Sequence, residues 1–193
     1  MNKVYLDDQI YYIDNFLSQL ELDFLKKFYL NLKGWDEEGD GIWEGNLKNI
    51  CKEDPIFFMN LVDRISLLID QNNSLLRLNP NIARYRKNQL DPGGYSKWAL
   101  SPHHDSSKGG VIGGIVLYLN DDYTGGEIVY TEKNITYKPR AGTMIFHPGS
   151  LEYKHGVKKV IEGTRYVMTG FVWDREILEQ RTLDEKSEGD KNV

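Results

Sequence analysis

A chain of 193 residues that is 40% hydrophobic has enough apolar material for one buried core and needs no metal or disulfide staple to fold. Its formal net charge of -5 argues against a nucleic-acid surface, which takes clustered Lys and Arg. Cys51 is the single cysteine, which excludes an internal disulfide and suits a reducing compartment.

In chain order, the first residues carry acids where a secretion signal would need an apolar core. No apolar run reaches the length of a membrane span, so a soluble cytoplasmic protein with no membrane partner is expected. A first helix follows Phe16-Leu17. Ser18 stands at its N-cap with Glu21 at the capping-box position, and Leu22, Leu25, Phe28, Tyr29 and Leu32 form an apolar stripe that Gly34 ends. Residues 39–49 read as loop or irregular strand. A second helix is predicted over 55–71, with Phe58, Leu61, Val62, Ile65, Leu68 and Ile69 at helical spacing. Both stripes are read as core.

Near residue 80 the period changes to two. Short strands are predicted at 111–119, 127–130, 135–138, 143–147 and 165–173, separated by turn signals such as Asp121-Asp122 and Gly125-Gly126. Many short strands mean a sandwich or barrel, mainly β (α+β), with the helices covering one face. One domain is expected over 1–175, followed by a charged tail at 176–193 that begins as a short helix and frays.

Chemistry enters with His103-His104-Asp105. Alternation along a strand puts His103 and Asp105 on one side and His104 on the other. By itself a His-x-Asp pair is a weak signal. A third ligand has to come from elsewhere, and only His147 and His155 are left. His155 is favoured because Arg165 follows it at the head of the last strand. Two imidazoles and a carboxylate on one metal leave positions open, which is the facial triad of non-haem Fe(II) oxygenases. On this assignment metal affinity depends on His155 and little on His147. Arg165, Val167, Thr169, Phe171 and Trp173 share a face of the last strand. A buried arginine needs a partner, either a core acid or the carboxylate of an organic co-substrate, and Thr169 can add a hydroxyl donor.

These residues carry a resemblance. Together with Leu117-Tyr118-Leu119-Asn120, Gly125-Gly126-Glu127, Pro139-Arg140-Ala141-Gly142 and Gly163-Thr164-Arg165-Tyr166, the segment 81–173 resembles the prolyl-4-hydroxylase-like branch of the 2-oxoglutarate- and Fe(II)-dependent oxygenases. The resemblance implies a double-stranded β-helix (jelly roll) core with the N-terminal helices packed on one sheet. It implies Fe(II) held by His103, Asp105 and His155, with 2-oxoglutarate and O2 as co-substrates and ascorbate as a further candidate. Arg165, Tyr118 and Thr169 are the implied co-substrate residues. Tyr118 can also be read as a plain half-buried strand tyrosine. A carboxylate at Asp105, where related halogenases have a small residue, favours hydroxylation.

The segment 86–102 departs from the family by its length. Residues 87–102 of it read as a mobile lid or as a surface loop. Tyr95 and Trp98 in it, with Tyr85 before it, are the candidate substrate contacts. A prolyl residue in a protein or peptide is the first substrate expected, and a free amino acid or small metabolite the second. Nucleic-acid dealkylation is disfavoured, since Phe171 stands where that branch has a second arginine. A non-catalytic binding module would be expected to have lost a ligand. Oligomeric state stays open.

Overall fold

Alternation along the strands sorts the apolar residues onto two sides of one sheet, and that sorting builds the molecule. The computed structural model describes residues 2–31, 54–69, 74–86, 97–177 and 179–180. Its strands are β1 (Val4–Tyr5), β2 (Tyr11–Ile13), β3 (Ser74–Arg86), β4 (Trp98–His103), β5 (Val111–Tyr118), β6 (Thr124–Gly125), β7 (Ile128–Tyr130), β8 (Ile135–Tyr137), β9 (Met144–Pro148), β10 (His155–Lys158), β11 (Val160–Glu162) and β12 (Thr164–Asp174). The larger sheet runs β1-β2-β9-β5-β12-β3, a smaller one runs β4-β10-β7-β8, and β11 pairs β6. All these pairings are antiparallel. This mainly β arrangement, with two helices on the larger sheet, is the jelly-roll architecture expected.

Helix α1 (Gln19–Asn31) opens on the capping box read from the sequence. The Ser18 backbone N–H donates to Glu21 Oε2 at 2.7 Å, and the Glu21 N–H returns a bond to Ser18 Oγ at 3.3 Å. Helix α2 (Pro55–Ser66) begins with proline in its first turn, and Asp54 accepts from the Phe57 N–H at 2.9 Å. It ends at Ser66, short of the predicted 71, and gives way to turns. Leu22, Leu25 and Tyr29 of α1 and Leu61 and Ile65 of α2 pack against Ile115, Leu117, Met144, Met168 and Val172 of the larger sheet. The next residues along the same strands, Val116, Tyr118, Ile145 and Val167, point the other way. They meet Ile128, Tyr130 and Val157 of the smaller sheet. Side chains at i and i+1 therefore serve opposite layers, as the pleat requires.

One difference from the sequence reading has a clear cause. Strand β3, which the predicted strands did not include, is thirteen residues long and contains Pro80. The β12 pairing shifts register there, from Met168 opposite Ile82 to Gly170 opposite Leu78. Pro80 thus sits in an irregularity of an edge strand, where a missing N–H costs no ladder bond. Helical residues at 175–177 after Asp174 agree with the start expected for the tail, while residues 181–193 and the loop expected at 39–49 lie outside the described residues. Among the described residues, no helix is long and apolar enough to cross a membrane.

Candidate metal and co-substrate site

Register brings the two histidines together. Strands β4 and β10 are antiparallel neighbours, and His103, the last residue of β4, lies directly opposite His155, the first of β10. Their ring centroids are 4.6 Å apart. Asp105 is not on the strand, as the i, i+2 argument assumed. The strand stops at His103, His104 stays extended, and Asp105 opens a 3-10 turn (Asp105–Lys108) tied to the end of β9 by the Ser106 N–H to Gly149 carbonyl bond, 2.8 Å. The carboxylate still converges, with Asp105 Oδ1 3.8 Å from His103 Nε2. One ligand atom each from His103, Asp105 and His155 lie within 4.8 Å of one another. Asp105 and His155 are buried while the His103 side chain is 41% exposed, so the group opens to solvent on the His103 side.

The donor chemistry suits a divalent ion. His103 Nδ1 bonds the Ser101 carbonyl at 3.0 Å and His155 Nδ1 bonds the Tyr153 carbonyl at 3.1 Å. A carbonyl only accepts, so each Nδ1 carries the proton and each Nε2 keeps its lone pair for a metal. Burial, with the nearby His147 and His103 rings, pushes the His155 pKa well below its usual 6.5, against the pull of Asp105. Burial alone would raise the Asp105 carboxyl. The His147 hydrogen bond and the neighbouring imidazoles outweigh it and hold the group well below the usual carboxylate range. A neutral imidazole beside an ionised carboxylate is the protonation state that metal binding requires.

A pH prediction follows. Below 6.5 the unfolded chain protonates His155 while the folded chain keeps it neutral, so acid favours unfolding through this residue. Asp105, whose ordinary value is 3.8, acts in the same direction at lower pH. In chelator, the melting temperature of the wild type should fall more steeply from neutral pH to about pH 5.5 than that of His155→Asn. Equal slopes would mean that His155 titrates like a free histidine.

A cavity of about 130 Å³ is lined by His103, Asp105 and His155 and also by Arg165 and Thr169. Leu100, Ile115, Val116, Ile128, Val157 and Val167 give it apolar walls. Arg165 is 2% exposed and its Nη2 donates to the Tyr118 hydroxyl oxygen at 3.2 Å. That oxygen accepts, which leaves the Tyr118 O–H to donate. Burial raises the Tyr118 pKa above its usual 10, though Arg165 opposes it, so the hydroxyl keeps its proton. Thr169 Oγ1 is buried without a hydrogen-bond partner among the described residues. Such a hydroxyl is costly unless something occupies the cavity beside it. A carboxylate placed there would meet a guanidinium and two hydroxyls.

Substrate residues fare differently. Trp98 is a strand residue with its ring buried, not a loop aromatic, and it is not among the described residues that line the cavity. Its ring is therefore not placed to stack on a group held in that cavity. Tyr95 and most of the segment read as a lid lie outside the described residues. Tyr85 is placed by its backbone, opposite Arg165 on β3. The sequence reading also left three participants aside. His147 Nε2 lies 3.2 Å from Asp105 Oδ2, Tyr130 Oη lies 3.0 Å from His147 Nδ1, and Gly114 sits beneath the pair. A glycine inside a predicted strand signals close approach, and Gly113-Gly114 was that signal.

Comparison with known proteins agrees with this geometry. Residues 80–173 match the 2OG-Fe(II) oxygenase superfamily. Human prolyl 3-hydroxylase 2 is 37% identical over 81 residues, covering 39% of this chain and 11% of that protein. The chain therefore corresponds to a small part of the curated relatives it matches. A prolyl hydroxylase from Trichoplax adhaerens, solved with a hypoxia-inducible-factor peptide fragment, superposes with a TM-score of 0.62 at 20% identity, over 88% of this chain and 85% of that one. A viral collagen prolyl hydroxylase from Paramecium bursaria Chlorella virus-1 gives 0.55 at 18% identity, over 90% and 98%. At these identities the structures speak to the fold.

Proposed function

We propose that this chain, whose residues 80–173 match the 2OG-Fe(II) oxygenase superfamily, is such an oxygenase and hydroxylates a prolyl residue in a protein or peptide. The observation that carries the reading is one cavity lined both by the three metal donors and by Arg165 and Thr169, with Tyr118 hydrogen-bonded to Arg165 behind it. His103, Asp105 and His155 would hold Fe(II). Arg165, Tyr118 and Thr169 would hold the distal carboxylate of 2-oxoglutarate. Fe(II) in that position supplies the oxidation: substrate C–H, 2-oxoglutarate and O2 become C–OH, succinate and CO2.

The protein does the rest. Arg165 and Tyr118 fix the co-substrate from a rigid strand pair, since Val167 on β12 stands opposite Tyr118 on β5. The apolar walls lower the dielectric around the site, which strengthens the charge interactions inside it. The backbone carbonyls of Ser101 and Tyr153 keep His103 and His155 in one orientation. The exposed edge of His103 marks the side from which a substrate approaches. The prolyl substrate is supported by the names of relatives, among them a prolyl hydroxylase solved with a bound peptide.

The test is turnover. With Fe(II), 2-oxoglutarate and ascorbate as reductant, proline-containing peptides should raise succinate formation and gain the mass of one oxygen. Stimulation by a free amino acid, with peptides inert, would replace the peptide reading by a small-molecule one. No succinate under any condition would remove the enzymatic reading.

A further inference from the structure

We propose that His147 is a positioning residue for Asp105, holding one carboxylate oxygen so that the other is presented to the metal. The proposal rests on the iron site assigned above, and it replaces the expectation that metal affinity depends little on His147.

Three observations carry it. The first is the division of labour on Asp105. Oδ2 takes the His147 Nε2 contact at 3.2 Å, while Oδ1 faces His103 Nε2 at 3.8 Å. The second is the chain behind it. The Tyr130 hydroxyl and His147 Nδ1 are 3.0 Å apart, both buried. If the phenol donates to Nδ1, the ring proton sits on Nε2, and Nε2–H points at a carboxylate oxygen that can only accept. Tyr130 itself stands opposite His155 on β7 and β10, so the chain is anchored in the sheet that carries the ligand.

The third is the room made for the contact. On β5, Gly114 lies directly opposite His147 of β9. A Cβ at Gly114 would stand against both His147 Nε2 and Asp105 Oδ2. The backbone φ there is not positive, so the glycine answers to space alone. A side chain at this position would enter the hydrogen bond.

The physical effect is restriction. Asp105 opens a four-residue 3-10 turn, and the His147 bond fixes the rotation of its carboxylate about the last side-chain bond. Bound through Oδ2, it presents Oδ1 before a metal arrives, and less ordering remains to be done on binding. His147 is 1% exposed, so water does not compete for the bond.

The experiment titrates apo-protein with Mn(II) and records the visible absorption of the Co(II) form, neither of which requires turnover. His147→Leu and Gly114→Ala should each weaken Mn(II) binding by about 10–100-fold and alter the Co(II) band. The double variant should bind no more weakly than the worse single one, because both break the same bond. His147→Gln, which returns an N–H near Nε2, should recover most of the affinity. Tyr130→Phe, the least disruptive change, should lose a smaller part, and it carries the test if circular dichroism shows the others unfolded. Wild-type affinity and an unchanged Co(II) spectrum in the folded variants would overturn the proposal. So would a loss in His147→Gln as complete as in His155→Ala, which would make His147 a ligand. A wild type that binds neither ion overturns the metal site and this proposal with it.

Discussion

His155→Ala is expected to abolish measurable Mn(II) binding at concentrations that saturate the wild type. The substitution removes one of three protein donors, and its loss should exceed the roughly 100-fold cost of losing an outer partner. The neighbourhood leaves no easy substitute. His147 lies close, with its ring centroid 4.1 Å from that of His155, but its Nε2 is engaged with Asp105. Titration of the chelator-treated protein decides the matter, with the melting temperature as a check on folding. Retained affinity in a folded His155→Ala protein would mean that the distal ligand was wrongly assigned.

Arg165→Ala should leave metal binding nearly intact and raise the KM for 2-oxoglutarate by about 30-fold or more. Truncating a buried, hydrogen-bonded charge pair costs about 2–5 kcal/mol, and about 1.4 kcal/mol corresponds to each tenfold. Arg165→Lys should recover only part of the loss. An ammonium is a point charge and cannot reproduce the planar fork, even if it reaches Tyr118. The two readouts separate a co-substrate role from a structural one, because a collapsed cavity would take the metal donors with it. An unchanged KM in Arg165→Ala would sink the assignment.

What the sequence made legible is what depends on periodicity. The last strand shows it best, because Arg165 and Val167 alternate with Tyr166 and Met168 over a run long enough to count. The structure sends those sets to opposite layers. The capping box at Ser18 and Glu21 is equally local, and it was legible for the same reason. Of the shortest strands, β7 and β8 were legible from the turn signals that bound them, and four others were not. β1, β2, β6 and β11 have two or three residues each, and they exist because a neighbour pairs with them. Trp98 was misjudged because a glycine-containing stretch before it reads as loop, while its own strand is set by pairing with Lys158 far along the chain. At the site, residue types and order revealed His103, Asp105, His155 and Arg165. The contact between Asp105 and His147 spans 42 residues and is made by register, so no local pattern announces it.

One strand, β12, has Met168 and Val172 on the face beneath the helices and Arg165, Val167 and Thr169 on the face that lines the cavity. The two sets are therefore not independent inheritances. A change that slackens the helical layer, such as a smaller side chain at Met168, shifts the same backbone that aims the guanidinium. Thermal tolerance and co-substrate affinity are thus yoked in this chain. Lineages or engineers that trade one away will find the other moving with it.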